Sequence, residues 1–167
     1  MNKKSLYKSL SICAGLLLAS HVWAIEKNNV APSFELNGTD GVIKLAKYQG
    51  KLIYLDFWAS WCGPCKQSFP WMNELQAKYG AQGLQVIGIN LDVKNEDARQ
   101  FLAIMPAHFP IAFDPSGVTP RIYGIKGMPS SVLISQEGKV LFEHAGFKDS
   151  DKPELEGKIK SLLEGKK

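Results

Sequence analysis

Two stretches of the chain show almost no polar rhythm. Leu52 to Trp58 (LIYLDFW) and Leu84 to Asn90 (LQVIGIN) are nearly continuous apolar runs of strand length. Such runs suit central strands of a sheet covered on both faces. Between them the period changes, and a helix is expected from Gly63 to about Tyr79, ended by Gly80 and Gly83. Pro70 lies inside that helix and predicts a kink. Upstream, Phe34-Glu35-Leu36 and Val42 to Leu45 flank Gly38-Thr39-Asp40-Gly41, a hairpin signal. Glu26 to Val30 is polar and reads as a loose lead-in.

Downstream, Asn95 is the expected N-cap of a second helix, with Glu96 and Asp97 in its first turn. That helix runs towards Met105 and stops at Pro106. Ile111-Ala112-Phe113 is a short strand before the turn Asp114-Pro115-Ser116-Gly117. Thr119 to Tyr123 suits one or two helical turns. Ser131–Ser135 and Lys139–His144 flank Gln136-Glu137-Gly138 as a second hairpin. A last helix, Lys152 to Leu163, presents Leu155, Ile159, Leu162 and Leu163 at helical spacing. Strand–helix–strand followed by a hairpin and a helix implies an α/β fold with a mixed sheet between helix layers.

The first helix opens with the chain's most specific chemistry. In Trp61-Cys62-Gly63-Pro64-Cys65, two thiols lie one turn apart directly after a buried strand. Cys62 sits at the helix N-terminus, where unpaired N–H groups and the helix dipole favour a thiolate. The pair reads as a dithiol–disulfide switch. A zinc half-site is the weaker alternative, because no second Cys-x-x-Cys or suitably spaced Cys/His pair completes four ligands. A permanent structural disulfide is weaker too, since so short a ring recovers little chain entropy.

The N-terminus changes the setting of that switch. Lys3, Lys4 and Lys8 precede an apolar run from Leu10 to Ala19, and Val22-Trp23-Ala24 offers a cleavage site. Residues 1–24 therefore read as a signal peptide, and residues 25–167 as one domain. The run is short for an uncleaved membrane anchor, the less favoured reading. Cleavage would remove Cys13 and leave Cys62 and Cys65 as the only thiols. Three of the 20 basic residues and none of the 16 acidic ones fall in the signal, which leaves 17 against 16. That near-neutral balance gives no reason to expect nucleic acid as a partner.

Asp56 to Lys66 (DFWASWCGPCK), with Pro70 five residues after Cys65, resembles the active-site segment of thioredoxin. Tyr123 to Pro129 (YGIKGMP) resembles its second signature, the loop with a cis-proline. The signal, the opening Ala31 to Leu36 (APSFEL) and the extra helix and strand between Asn90 and Asp114 resemble the exported TlpA-like branch, which includes ResA-type and cytochrome c maturation thioredoxins. The resemblance covers about Ala31 to Leu163. It implies a thioredoxin-like fold with an N-terminal hairpin and an inserted helix–strand. Asp56 and Gly63-Pro64 match general thioredoxin rather than many exported members, which weakens assignment to any one assembly pathway.

The helix-start position makes Cys62 the expected nucleophile and Cys65 the resolving thiol. Asp56 is an acid in a buried strand, where desolvation raises its pKa; the resemblance implies a proton acceptor for Cys65, through a water. Pro129 is the candidate cis-proline, since only X-Pro bonds go cis at modest cost. The resemblance implies that the Met128 backbone lies beside the thiols, free to pair with an extended substrate. Trp61, Gly63 and Pro64 would complete the substrate-binding surface. Trp58 reads as core, and His108 and His144 as ordinary histidines.

The implied function is a periplasmic protein-disulfide reductase acting on exported proteins through a mixed disulfide, with cytochrome c or copper-centre assembly among its services. An exported reductant needs electrons, so a membrane-linked donor is expected; no cofactor or metal is. Two alternatives stay open. One is an oxidase or isomerase on the same fold. The other is a copper-binding assembly factor, since thiolates suit Cu(I).

Overall fold

The structure, a computed structural model, describes residues 28–165. The signal expected at 1–24 lies outside the described residues, as do Glu26 and Lys27 of the lead-in. The strands are β1 (Glu35–Gly38), β2 (Gly41–Lys44), β3 (Leu52–Trp58), β4 (Leu84–Asn90), β5 (Ile111–Phe113), β6 (Ser130–Ile134) and β7 (Val140–Ala145). The helices are α1 (Gly63–Tyr79), α2 (Asn95–Ile104), α3 (Val118–Ile122) and α4 (Lys152–Glu164). The strands form one mixed sheet in the order β2-β1-β5-β4-β3-β6-β7. β3 runs parallel to β4, and β4 to β5; the β1–β5, β3–β6 and β6–β7 pairs are antiparallel. This is a thioredoxin-like α/β fold, with the hairpin β1–β2 added at one edge and α2–β5 inserted.

β3 and β4 are buried at all seven positions, as their unbroken apolar runs require. Side chains alternate between the faces of β3. Tyr54 and Trp58 point into the layer under α1, α2 and α4, together with Cys62, Cys65, Phe69, Phe101 and Ile159. Ile53, Leu55 and Phe57 point the other way, where Ala31, Phe34, Leu45 and Tyr123 cover them. Under α1, the Phe69 ring lies 4.6 Å from Trp58, 4.9 Å from Phe101 and 5.7 Å from Phe109, measured between centroids. This cluster fastens α1 and α2 to the sheet.

Three details differ from the expectations: the lead-in, the cap of α2 and the burial of Leu162. The lead-in is not loose where it is described: Asn28 and Ala31 donate backbone hydrogen bonds to Val140 and Gly138, and Val140 donates to Asn29. Asn95 is the first helical residue rather than the cap; Lys94 takes that place without a side-chain bond. α1 continues in helical conformation through Pro70, which is exposed. Leu162 is only half-buried, while Leu155, Ile159 and Leu163 are buried.

Phe69→Ala would remove the central ring of the cluster and leave a cavity between two helices and the sheet. The expected loss is about 3–5 kcal/mol, read as a lower denaturation midpoint in urea with an unchanged slope. A loss below about 1 kcal/mol would mean that α1 is held by other contacts.

Candidate active site

β3 ends at Trp58, and the chain turns through Ala59, Ser60 and Trp61 into α1. The Cys62 N–H donates to the Ala59 carbonyl at 3.1 Å, which closes the turn. Cys62 is the N-cap of α1, with Gly63 and Pro64 as the first helical residues. Proline costs nothing there, because the N–H it lacks has no partner in the first turn. Cys62 and Cys65 form a disulfide. The Cys65 N–H points at the Cys62 Sγ, 3.3 Å away. After reduction the same N–H would favour a thiolate at Cys62.

Cys62 is less accessible than its helix-start position suggests. It keeps 5% of its exposure and Cys65 none. The reason is helical periodicity. Cys65, Phe69, Met72, Leu75 and Tyr79 make the buried stripe of α1, and Cys62 stands one turn before it on the same side. The asymmetry between the two sulfurs survives, but narrowly. Around them Trp61 is 70% exposed, and Gly63, Pro64 and Lys66 are open to solvent.

The Met128–Pro129 peptide is cis. Pro129 is buried, and Met128 packs on the cluster that contains both cysteines. The loop is pinned where the Ser130 hydroxyl donates to the Gly127 carbonyl at 2.8 Å. β6 begins at Ser130, paired with Phe57, so the Met128–Pro129 loop lies at the end of the sheet where β3 leads into 62–65.

Asp56 lies between Tyr54 and Trp58 on β3, so it faces the layer that holds the cysteines. It is 2% exposed, and its Oδ1 has no hydrogen-bond partner. Its cross-strand neighbours are Gly88 and Ser131, neither of them charged. A Cβ on Gly88 would come within 2.8 Å of the Ile111 Cδ1 and 3.1 Å of the Trp58 Nε1, so a side chain there would crowd both. Desolvation pushes the Asp56 carboxyl well above the usual carboxylate range. The same burial, and then the Asp56 charge, raise the Tyr54 hydroxyl, while a bond from Ser131 lowers it.

Trp58 is fully buried, as expected of a core residue. His108 is exposed and His144 half-buried beside Asp151, its Nε2 3.4 Å from Oδ2; neither residue belongs to the redox turn. No group of three or more His, Cys, Asp or Glu is placed to hold a metal among the described residues. None of the described helices is long and apolar enough to cross a membrane. Sequence reasoning passed over Ser60, Asn90 and Asp92, which are bonded to one another beside the redox turn. The available signal was an acid, Asp92, just past the end of a buried strand.

Comparison with known proteins agrees with this geometry. The redoxin pattern matches residues 26–159. The chain belongs to the redoxin family. It is 34% identical over 139 residues to the thiol-disulfide oxidoreductase ResA of Bacillus thuringiensis, covering 83% of this chain and 79% of that one. ResA of Bacillus subtilis is 32% identical over 136 residues, covering 78% and 76%. Among solved structures, a Chlorobium tepidum protein assigned as thiol:disulfide interchange protein DsbE is 57% identical, with a TM-score of 0.83 over 84% of this chain and 99% of that one. The exposed lipoprotein thioredoxin Etrx1 of Streptococcus pneumoniae is 31% identical, with a TM-score of 0.70 over 78% and 100%. Within the thioredoxin superfamily the chain is thus ResA/TlpA-like, and its Cys62–Cys65 pair is that of an oxidoreductase of thiols and disulfides.

The direction of the Asp56 shift sets a pH dependence. A carboxyl raised by folding binds its proton more tightly in the folded chain. Its contribution to stability is full below the unfolded pKa and is lost as pH rises through the folded one. Asp56→Asn should therefore be more stable than the parent at neutral and alkaline pH and lose most of that advantage in acid. Denaturant unfolding across pH checks this. Parallel stability curves for the two proteins would mean that the carboxyl is not desolvated.

Proposed function

We propose that this chain is an exported thiol–disulfide reductase that works in the periplasm. Its clients would be exported proteins with disulfides, those of cytochrome c or copper-centre assembly included. The observation that carries the reading is the Cys62–Cys65 disulfide at the start of α1, with a desolvated carboxyl on the same face of the sheet and a cis-proline loop beside it. The apolar run and Val22-Trp23-Ala24 support export with cleavage after Ala24. The mass of the protein recovered from the exported fraction tests that directly.

In the reaction, the Cys62 thiolate attacks one sulfur of a client disulfide. The client S–S bond breaks, and the departing client thiolate takes a proton. A mixed disulfide now joins Cys62 to the client. The Cys65 thiol gives its proton to the Asp56 carboxylate, directly or through a water. The Cys65 thiolate attacks the Cys62 sulfur, the mixed disulfide breaks, and the second client thiol leaves. Two electrons pass to the client, and Cys62–Cys65 is oxidised. A dithiol donor, reached from the membrane side, reverses the sequence. Desolvation makes Asp56 a stronger base than a carboxylate in water, which suits the second step. Trp61, Gly63 and Pro64 offer the client an open surface, and the Met128 backbone an edge to pair with.

Gly63-Pro64 favours the reducing direction, as in thioredoxin. The expected potential is between about −220 and −280 mV, against about −120 mV for a strong oxidant. A measured potential above about −150 mV would replace the reductase by an oxidase. Cys65→Ser should trap mixed disulfides with clients, and Cys62→Ser few; equal trapping would reverse the two roles. In Asp56→Asn the first step should keep its rate, while resolution slows by roughly 10²-fold, followed by stopped flow with a model disulfide. An unchanged second step would remove Asp56 from the reaction.

A further inference from the structure

Asp92 is a buried acid, 2% exposed, that the exchange reaction does not use. It lies two residues past β4, beside the turn that carries Cys62. Its Oδ2 accepts from the Ser60 N–H at 3.0 Å and from the Asn90 Nδ2 at 2.7 Å, and its Oδ1 accepts from the Ser60 hydroxyl at 3.0 Å. Its own N–H donates to the Asn90 Oδ1 at 3.0 Å. Every group facing the carboxylate is a donor, which is the set that an ionised carboxylate takes.

The placement has a backbone logic. β3 and β4 pair in parallel as far as Trp58 and Asn90, and the Leu91 N–H still reaches the Trp58 carbonyl at 2.9 Å. There the chains diverge, and the Ser60 N–H would be the first without a partner. Asp92 supplies it from a side chain. Ser60 is also the second residue of the Ala59–Cys62 turn, so fixing it fixes the approach of Cys62 to α1. The carboxylate is bonded to a residue only two positions from Cys62. An anion held in a largely buried setting is screened little by solvent or salt.

We propose that Asp92 is a positioning residue for the redox turn and that its fixed negative charge disfavours the Cys62 thiolate, biasing the cysteine pair towards the disulfide. A reduced form with a less stabilised thiolate is a stronger reductant. The proposal therefore deepens the reductase reading, on which it rests: Asp92 offsets the helix dipole that would otherwise make the pair oxidising.

The test uses the full exported domain with Asp92→Asn, Ser60→Ala, and the swap Asn90→Asp/Asp92→Asn. The swap keeps the charge and the donor–acceptor count but moves the anion off Ser60, and it serves if Asp92→Asn does not fold. Two quantities are read. One is the pH profile of Cys62 alkylation in the reduced protein. The other is the equilibrium constant for protein disulfide plus two glutathione giving protein dithiol plus glutathione disulfide. The ionisable groups on the adjoining elements are Cys65 and Lys66 on α1, Asp56 on β3, Lys94 at the start of α2 with Glu96 and Asp97 in its first turn, and Lys126 in the loop that ends at Pro129; all are kept.

In Asp92→Asn and in the swap, the alkylation profile should move to lower pH, and the equilibrium should shift towards the dithiol by about three- to tenfold. Ser60→Ala keeps the anion and the backbone bond and should stay within about twofold of the parent. A merely structural strut would lower stability and leave both readouts in place, which would overturn the proposal. So would a Ser60→Ala shift as large as that of Asp92→Asn. The absolute equilibrium of the parent tests the reductase reading; the displacement between parent and variants tests Asp92.

Discussion

β3 has water on neither face, and the rest of the molecule is arranged around that fact. Seven consecutive buried positions need partner strands on both sides and cover above and below. β4 and β6 supply the edges. The aromatic cluster of Trp58, Phe69, Phe101 and Phe109 supplies much of one cover. Because the strand is sealed, its carboxyl end is the first place where the chain meets solvent again, and the redox turn stands there. The same sealing makes Asp56 expensive as a charge. A carboxyl that would titrate like any other in water is held, between Tyr54 and Trp58, well above the usual carboxylate range.

Two buried acids flank the cysteines under opposite conditions. Asp56 has an Oδ1 without a partner and uncharged residues across both neighbouring strands, so desolvation dominates. Asp92 is as deeply buried, but three donors converge on it. Both oxygens of Asp92 are thus satisfied, whereas Asp56 keeps an oxygen with no partner. The side chains are chemically the same, so the difference lies in their surroundings.

Cys62 shows how a local rule and a tertiary one can pull apart. The helix start exposes backbone N–H groups, and the Cys65 N–H does face the Cys62 sulfur. Yet the buried stripe of α1 passes close to the cap, so Cys62 is mostly covered. The side that stays open is the one at Trp61, Gly63 and Pro64, which are exposed to solvent.

Much of this was legible in the sequence. The bounds of β3, β4 and β5 followed from apolar runs whose ends are set by the nearest turn residues. Cys62 and Cys65 followed from their spacing at a helix start, and the family from motifs that survive in the chain as strings. What the sequence determined by itself was whatever depends on neighbours within a few residues: the strands, the helices, the capping position of a thiol and the acid in an apolar run. Tertiary structure decided the rest. The edge position of the β1–β2 hairpin, the covering of Cys62, the missing partner for the Asp56 Oδ1 and the bonds that Asp92 accepts from Ser60, 32 residues apart in the chain, all depend on which strands lie side by side. Strand order is a property of the whole core, and no local pattern of residues carries it.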